Sequence, residues 1–365
     1  MSVYNTREAV LDLGVIDPEF AEAVKALLAG PDVDIPSVPT DVTQIAEFER
    51  LRKVVSGMEL EIDDANQDDR VEEKTISITM PDGHQNDARV YSPRHNSHGS
   101  RPLIVLFFGG GWVGGGIRQM SAYSRPLSLL YGAVVVNASY RLAPEYKFPT
   151  AHDGAWDAIK WLGTHSSELG ADPAQGFIIG GSSAGGSIAA ASGSRALREN
   201  LSPPLTGLWL NIPPIVLTDT TLPARYKDLW LSRTQNAESP TFGKTELDTA
   251  INIYQPDEKS ATFNPLVDLK SIPLMPRTFL QVAGMDPLRD DGIIYDQILR
   301  DAGVETRLNA YKGMPHGFFG PYFTHLKQSQ QHHVDVLEAF GWLLRQDQDS
   351  QKTREFAKGF KFFQK

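Results

Sequence analysis

The chain has 365 residues, 41% hydrophobic and 22% charged, a mixture that excludes a disordered chain, a collagen-like fibre and a coiled coil. Its 45 acidic against 35 basic residues give a formal net charge of −10, which repels a phosphate backbone and argues against nucleic acid as a partner. The absence of cysteine excludes a disulfide scaffold, a thiolate zinc site and a cysteine nucleophile.

The first sixty residues read as helices. Asp17-Pro18 offers an N-cap followed by a proline at the first helical position, Phe20, Val24, Leu27 and Leu28 recur on one face, and Gly30-Pro31 stops the run. A Pro-rich stretch over 31–39 precedes a second helix, expected around Val42 to Met58. Neither helix has a place in a sheet, so the two form a cap or an extra packed layer. Met1 to Gly14 carries Arg7, Glu8 and Asp12 and lacks a continuous apolar core, so no signal peptide is expected there. No apolar run is long enough to span a membrane, and a cytoplasmic location without stable membrane insertion is expected.

Thr75 to Met80 alternates and Pro81-Asp82-Gly83 is a turn, which predicts a hairpin whose second strand is Ala88 to Tyr91. Continuous apolar runs then recur at Leu103–Phe107, Ala133–Val136, Phe177–Ile179, Leu208–Leu210 and Thr278–Val282, with a last strand over Glu305–Tyr311. Such runs suit strands buried on both faces. Amphipathic segments such as Asp153 to Leu162 lie between them, so the expected fold is α/β, with a mostly parallel central sheet flanked by helices. Pro213 to Pro265 breaks the alternation as a long polar insertion, but Tyr226, Trp230, Leu231 and Tyr254 favour an ordered piece. Past Gln346 the tail interleaves Lys352, Arg354, Lys358, Lys361 and Lys365 with Phe356, Phe360, Phe362 and Phe363. Packing of these phenylalanines on the domain, a loosely ordered tail and contact with an anionic surface are the alternatives. The expected organisation is therefore helices over 1–60, a main domain over 61–346 with an insertion at about 213–265, and a basic aromatic tail over 347–365.

Gly181-Ser182-Ser183-Ala184-Gly185 matches G-x-S-x-G between a predicted strand and a helix starting near Ser187. A serine on that turn is lifted clear of the sheet, and the helix N-terminus favours developing negative charge. Ser183 at the centre of the pattern is the candidate nucleophile. His316, in Gly313-Met314-Pro315-His316-Gly317-Phe318 after the last strand, is the candidate base. His152, at a helix start, is its best rival. His84, His95 and His98 lie in turn-like sequence, and His332 and His333 fall within a helix. Asp286 ends the strand Thr278–Val282 and is the candidate acid, whereas Asp290 and Asp291 fall in the next helix's first turn, where acids suit the dipole. Phe107-Phe108-Gly109-Gly110-Gly111-Trp112 follows a strong strand, and its consecutive glycines let backbone N–H groups converge on a developing alkoxide.

These residues resemble the hormone-sensitive-lipase-like family of α/β-hydrolases, the fold-3 esterases. The family's His-Gly-Gly-Gly-Trp, Gly-Asp-Ser-Ala-Gly-Gly, Asp-Pro-Leu and His-Gly-Phe stand here as Phe108–Trp112, Gly181–Gly186, Asp286–Leu288 and His316–Phe318. Tyr140 to Glu145 with Phe148-Pro149 matches a further signature on a structural loop. The resemblance covers about Val71 to Leu344. It implies an α/β-hydrolase fold with a helical cap made of residues 1–60 and about 213–265. It also implies Ser183 as nucleophile, His316 as base and then acid, Asp286 as orienter, and an oxyanion hole of the Gly110, Gly111 and Ala184 N–H groups. The substrate pocket is expected to draw on Phe108, Trp112, Ser182, Phe318, Tyr226 and Trp230. Two positions depart from the family: Phe108 replaces the motif's histidine, which could brace the glycine loop, and Ser182 replaces its aspartate. The resemblance implies a serine carboxylesterase acting on a small-molecule ester, with no metal and no cofactor. Dehydration, cyclisation or acyl transfer at the same site is the alternative, a non-catalytic small-molecule receptor comes third, and a homodimer stays open.

Overall fold

In the computed structural model, residues 4–29, 38–95, 99–346 and 349–358 are described. Three helices lead the chain: α1 (Arg7–Leu13), α2 (Pro18–Ala29) and α3 (Ile45–Ala65). The Asp17 carboxylate accepts the N–H groups of Glu19 and Phe20 at 2.8 and 3.1 Å, the cap expected from Asp17-Pro18. Then follow β1 (Val71–Thr79), β2 (Gln85–Pro93), β3 (Leu103–Phe107), α4 (Ser121–Tyr131), β4 (Val134–Ala138), α5 (Thr150–Thr164), β5 (Phe177–Ser182), α6 (Ala184–Arg198) and β6 (Gly207–Asn211). The insertion carries α7 (Ser232–Gln235) and α8 (Lys244–Tyr254), and β7 (Arg277–Ala283), α9 (Arg289–Asp301), β8 (Thr306–Tyr311), α10 (Lys327–Leu343) and α11 (Ser350–Lys358) complete the chain.

The eight strands form one sheet in the order β1-β2-β4-β3-β5-β6-β7-β8. β1 and β2 pair antiparallel, β2 lies antiparallel on β4, and all later pairs are parallel. Every residue of β3, β4, β5 and β6 is buried, which is why these strands read as unbroken apolar runs instead of alternating ones. Phe107 pairs with Gly181, Gly181 with Leu210, Leu210 with Leu280 and Leu280 with Leu308. This register brings the carboxyl ends of β3, β5, β7 and β8 to one edge, where the loops of an open α/β sheet build a site.

α3 runs seven residues beyond the expected end at Met58. Its acidic last turns look like a helix end, yet Asp63 is fully buried among arginines. Arg125 meets Asp63 at 2.6 Å, Arg118 pairs with the same carboxylate, and Arg125 and Arg89 both reach Glu73 of β1. Burial alone would raise the Asp63 carboxyl, but the charge of Arg125, hydrogen bonds from Ser121 and Arg118, and the charge of Arg89 outweigh it and hold the group below its ordinary value. Such a carboxylate stabilises the fold above its unfolded pKa, and the contribution disappears as pH falls through the lower folded value. Asp63→Ala leaves buried Arg125 with Glu73 as its remaining carboxylate partner and Arg118 without Asp63, so unfolding at neutral pH is expected to become easier by about 3 kcal/mol in denaturant titration, a deficit that shrinks in acid.

The insertion is ordered, as its aromatic residues suggest, and around Tyr226 it forms a short 3-10 turn, Ala224–Leu229. In the tail, α11 buries Thr353 and Ala357, and the Arg70 guanidinium lies 5.7 Å from the Phe356 ring centre. Phe360, Phe362, Phe363, Lys361 and Lys365 lie outside the described residues, as do most of the Pro-rich stretch and His98. Among the described residues no helix is long and apolar enough to cross a membrane.

Candidate active site

Ser183 sits between the end of β5 and the first residue of α6, at φ 52° and ψ −118°. A non-glycine residue is held in this region only by its surroundings. The chain closes tightly here: a Cβ on Gly185 would stand 2.2 Å from the Phe107 carbonyl oxygen, so this position admits only glycine. In the tautomer with its proton on Nδ1, His316 accepts from the Ser183 hydroxyl at 3.0 Å and donates to the Asp286 carboxylate at 2.6 Å. Asp286 is fully buried, and its other oxygen accepts the Leu288 N–H at 2.8 Å. The three strand ends thus bring Ser183, His316 and Asp286 into one continuous relay.

The insertion holds this relay from outside the sheet. Phe242 stacks on the His316 ring at 4.3 Å, and Asn236 donates to the carbonyls of Gly284 and Asp286 at 3.1 and 2.8 Å. Asp290 and Asp291 stand in the first turn of α9, as expected, and are also fully buried docking points. Asp290 accepts the N–H groups of Leu231 and Ser232 at 2.5 Å, and Asp291 accepts those of Ile215 and Val216 at 3.0 Å. Burial nevertheless pushes the Asp291 carboxyl up to about 6, against the pull of Arg233 and the two N–H groups.

Gly110 lies at φ 125°, and a Cβ there would stand 2.4 Å from the Gly114 carbonyl oxygen, so the turn needs glycine. The N–H groups of Gly110, Gly111 and Ala184 donate to no backbone carbonyl among the described residues. Ala184 is the first residue of α6, where amides have no partner within the helix. A cavity of about 400 Å³ opens over Ser183, Gly110, Gly111 and His316. α3 lines it with Leu51, Val55, Met58, Glu59 and Ile62, and the insertion adds Phe242, Glu246 and Ala250. Its exposed wall is mostly apolar.

Of the six expected pocket residues only Ser182 lines this cavity. Phe108 is buried under the glycine loop, stacked on Tyr140 at 4.2 Å. Trp112 is buried against Tyr254 at 4.8 Å. Phe318 turns into a separate cluster with Tyr311 and Phe20, leaving Phe319 on the cavity. Tyr226 and Trp230 face α9, where the Tyr226 hydroxyl donates to Asp301 at 2.7 Å and the Trp230 ring N–H points to Asp291 at 3.4 Å. Aromatic content marked ordered packing at these positions and not the cavity. The real wall is the stripe Leu51, Val55, Met58 and Ile62, whose helical spacing marks an apolar face without naming what it covers. His152 is wired elsewhere, to the Tyr254 hydroxyl at 2.7 Å and Ser187 at 3.3 Å, and burial with the Arg195 charge lowers it to about 3.

Phe108 fills by packing the position where the motif has a histidine. Its ring packs between Tyr140 and the loop, and the Tyr140 hydroxyl donates to the Phe108 carbonyl at 2.9 Å. Phe108→His would bury an imidazole against the Tyr140 ring and the Gly115 backbone. It is expected to lower stability by about 1–3 kcal/mol in thermal melts and to change turnover less than about threefold. A tenfold rise in turnover would show that the loop lacks support.

The α/β-hydrolase fold model matches residues 104–320, the span that holds the glycine loop, Ser183, Asp286 and His316. An AB hydrolase superfamily protein of Schizosaccharomyces pombe is 34% identical over 337 residues, 90% of this chain and 94% of that one. Carboxylesterase NlhH of Mycobacterium tuberculosis is 35% identical over 263 residues, 68% of this chain and 75% of that protein. The crystal structure of vibralactone cyclase superposes with a TM-score of 0.76 at 26% identity, covering 92% of this chain and 96% of the other. Sheet order, loop placement and sequence likeness over most of the length agree, and the chain belongs to the hormone-sensitive-lipase-like branch of the α/β-hydrolase fold family.

Proposed function

We propose that Ser183, His316 and Asp286 cleave carboxylic esters of small molecules through an acyl-enzyme. The observation that carries this reading is the unbroken hydrogen-bond relay from Ser183 to buried Asp286, beside a glycine loop whose Gly110 and Gly111 N–H groups donate to no backbone carbonyl among the described residues. The Ser183 oxygen attacks the ester carbonyl as His316 Nε2 takes its proton, and Asp286 holds the ring and stabilises the imidazolium. The N–H groups of Gly110, Gly111 and Ala184 receive the oxyanion, each donor supplying about 3 kcal/mol to the transition state. His316 then protonates the leaving alcohol, and water admitted to the same place releases the acid. Fluorophosphonate labelling of Ser183 together with turnover of a short p-nitrophenyl ester tests the reading. Strong labelling without turnover would count against it.

Dehydration, cyclisation or acyl transfer as the native reaction is not favoured. The likeness to vibralactone cyclase stands at 26% identity, the one to carboxylesterase NlhH at 35%. A non-catalytic receptor would have no use for the relay.

The cap reading assigns acyl choice to residues 1–60 and about 213–265, and within them to α3 and α8. Val55→Trp fills part of the cavity, so kcat/KM for a long-chain ester should fall about tenfold or more relative to the acetyl ester. An acyl-ester ladder measures that ratio, and an unchanged ladder would remove α3 from substrate selection.

A further inference from the structure

The glycine loop has no histidine at 108, but a polar brace reaches it from elsewhere in the chain. Gln119 Oε1 accepts the Gly109 N–H at 2.7 Å, and Gln119 Nε2 faces the Gly109 carbonyl at 3.4 Å. One primary amide therefore grips both backbone groups of the residue before Gly110. The same Nε2 donates to Glu59 Oε1 at 3.3 Å. Glu59 belongs to α3, is buried, and lies against the far arm of the loop, where a Cβ on Gly116 would stand 3.0 Å from its Oε2. Gly109 also abuts the nucleophile: a Cβ on it would lie 3.0 Å from the Ser182 carbonyl oxygen and 3.3 Å from the Ser183 Cβ. A tilt of Gly109 therefore moves the hole relative to Ser183.

We propose that Gln119 and Glu59 are positioning residues for the oxyanion hole, Gln119 clamping Gly109 and Glu59 holding Gln119, so that the hole is fully formed only while α3 is seated. The proposal rests on the assignment of the hole and nucleophile given above. Burial pushes the Glu59 carboxyl up to about 7, against hydrogen bonds from Gln119 and Gly116, which fits a group enclosed by the loop and not a solvated helix residue. α3 lines the cavity with four apolar residues beside Glu59, so its seating is also what closes the site over an acyl chain. A substrate that packs against α3 thus favours the arrangement that aims the N–H groups.

The test is steady-state kinetics on a short p-nitrophenyl ester. Gln119→Met keeps length and volume but removes the hydrogen bonds to Gly109 and to Glu59. It should lower kcat about tenfold or more with KM changed less than about threefold, because hole donors act on charge present only in the transition state. Glu59→Ala should lower kcat about three- to tenfold, and Glu59→Gln, which keeps an acceptor for the Gln119 amide, should recover most of it. Because both residues act along one path, Glu59→Ala with Gln119→Met should be no slower than Gln119→Met alone. Affinity for a trifluoromethyl ketone, whose serine adduct places an oxyanion in the hole, should weaken in step with kcat. Unchanged kcat in Gln119→Met, a loss confined to KM, or additive losses in the double variant would overturn the proposal. Melting curves accompany each variant; if Gln119→Met is unfolded at the assay temperature, equal loss in Glu59→Ala and Glu59→Gln overturns it. Ser183→Ala in the same assay separates the two readings. Turnover retained there removes the nucleophile, whereas an inert Ser183→Ala beside an unaffected Gln119→Met removes only the brace.

Discussion

Ser183→Ala should lower ester turnover by at least about 10⁴-fold and abolish fluorophosphonate labelling while the melting curve stays close to wild type. The change removes one oxygen, and its hydrogen bond runs to His316, a partner that stays held by Asp286 and Phe242. Residual rate would come from binding and the glycine loop, which still stabilise charge when the nucleophile is gone. The strain at φ 52° is a backbone property, so alanine inherits it and the turn should persist. A variant that kept a tenth of wild-type turnover would show that another group attacks the ester.

The second large effect separates two histidines. His316→Ala should cost about 10⁴-fold in turnover, since both the proton acceptor for Ser183 and the donor to the leaving alcohol vanish. His152→Ala should leave turnover within about threefold and appear in stability instead. Its ring is buried between Tyr254 and Phe148, and deletion of a buried ring of this kind costs about 3–5 kcal/mol. Chemical denaturation measures that cost, and the ester assay measures the contrast. Equal kinetic losses in the two variants would undo the assignment of the base.

The chemistry was more legible in the sequence than the cavity. Ser183, Asp286 and His316 each follow a strand whose apolar run is unmistakable, and a parallel sheet puts successive strand ends on one edge. Local pattern therefore sufficed to place them. The cavity wall depends on how α3 lies across that edge, and nothing in the stripe Leu51, Val55, Met58 and Ile62 states which surface it covers. Glu59 and Gln119 were illegible for the same reason, because the two positions, 60 apart in the chain, are brought together only by tertiary packing. Trp112, Phe108 and Phe318 misled in the opposite direction: large aromatic side chains next to reactive loops are as well suited to filling the space beneath a loop as to meeting a substrate. The extension of α3 past Met58 was hidden because Asp63 is a buried ion-pair partner, whereas acidic residues late in a helix ordinarily face water.

Asp290 and Asp291 of α9 hold the insertion largely by its main chain. The carboxylates grip Ile215, Val216, Leu231 and Ser232 by their main-chain amides. Any residue except proline presents that amide, so these four contacts tolerate a change of side chain, whereas Ser232 adds its own hydroxyl on the Pro287 carbonyl at 2.7 Å and Arg233 pairs with Asp291 at 3.0 Å. Mutational drift can rewrite the substrate-facing side of the segment while its attachment to the acid loop persists. Glu246 and Ala250, which line the cavity, are separate from the residues that anchor the segment, so the wall can be altered there without touching the anchorage.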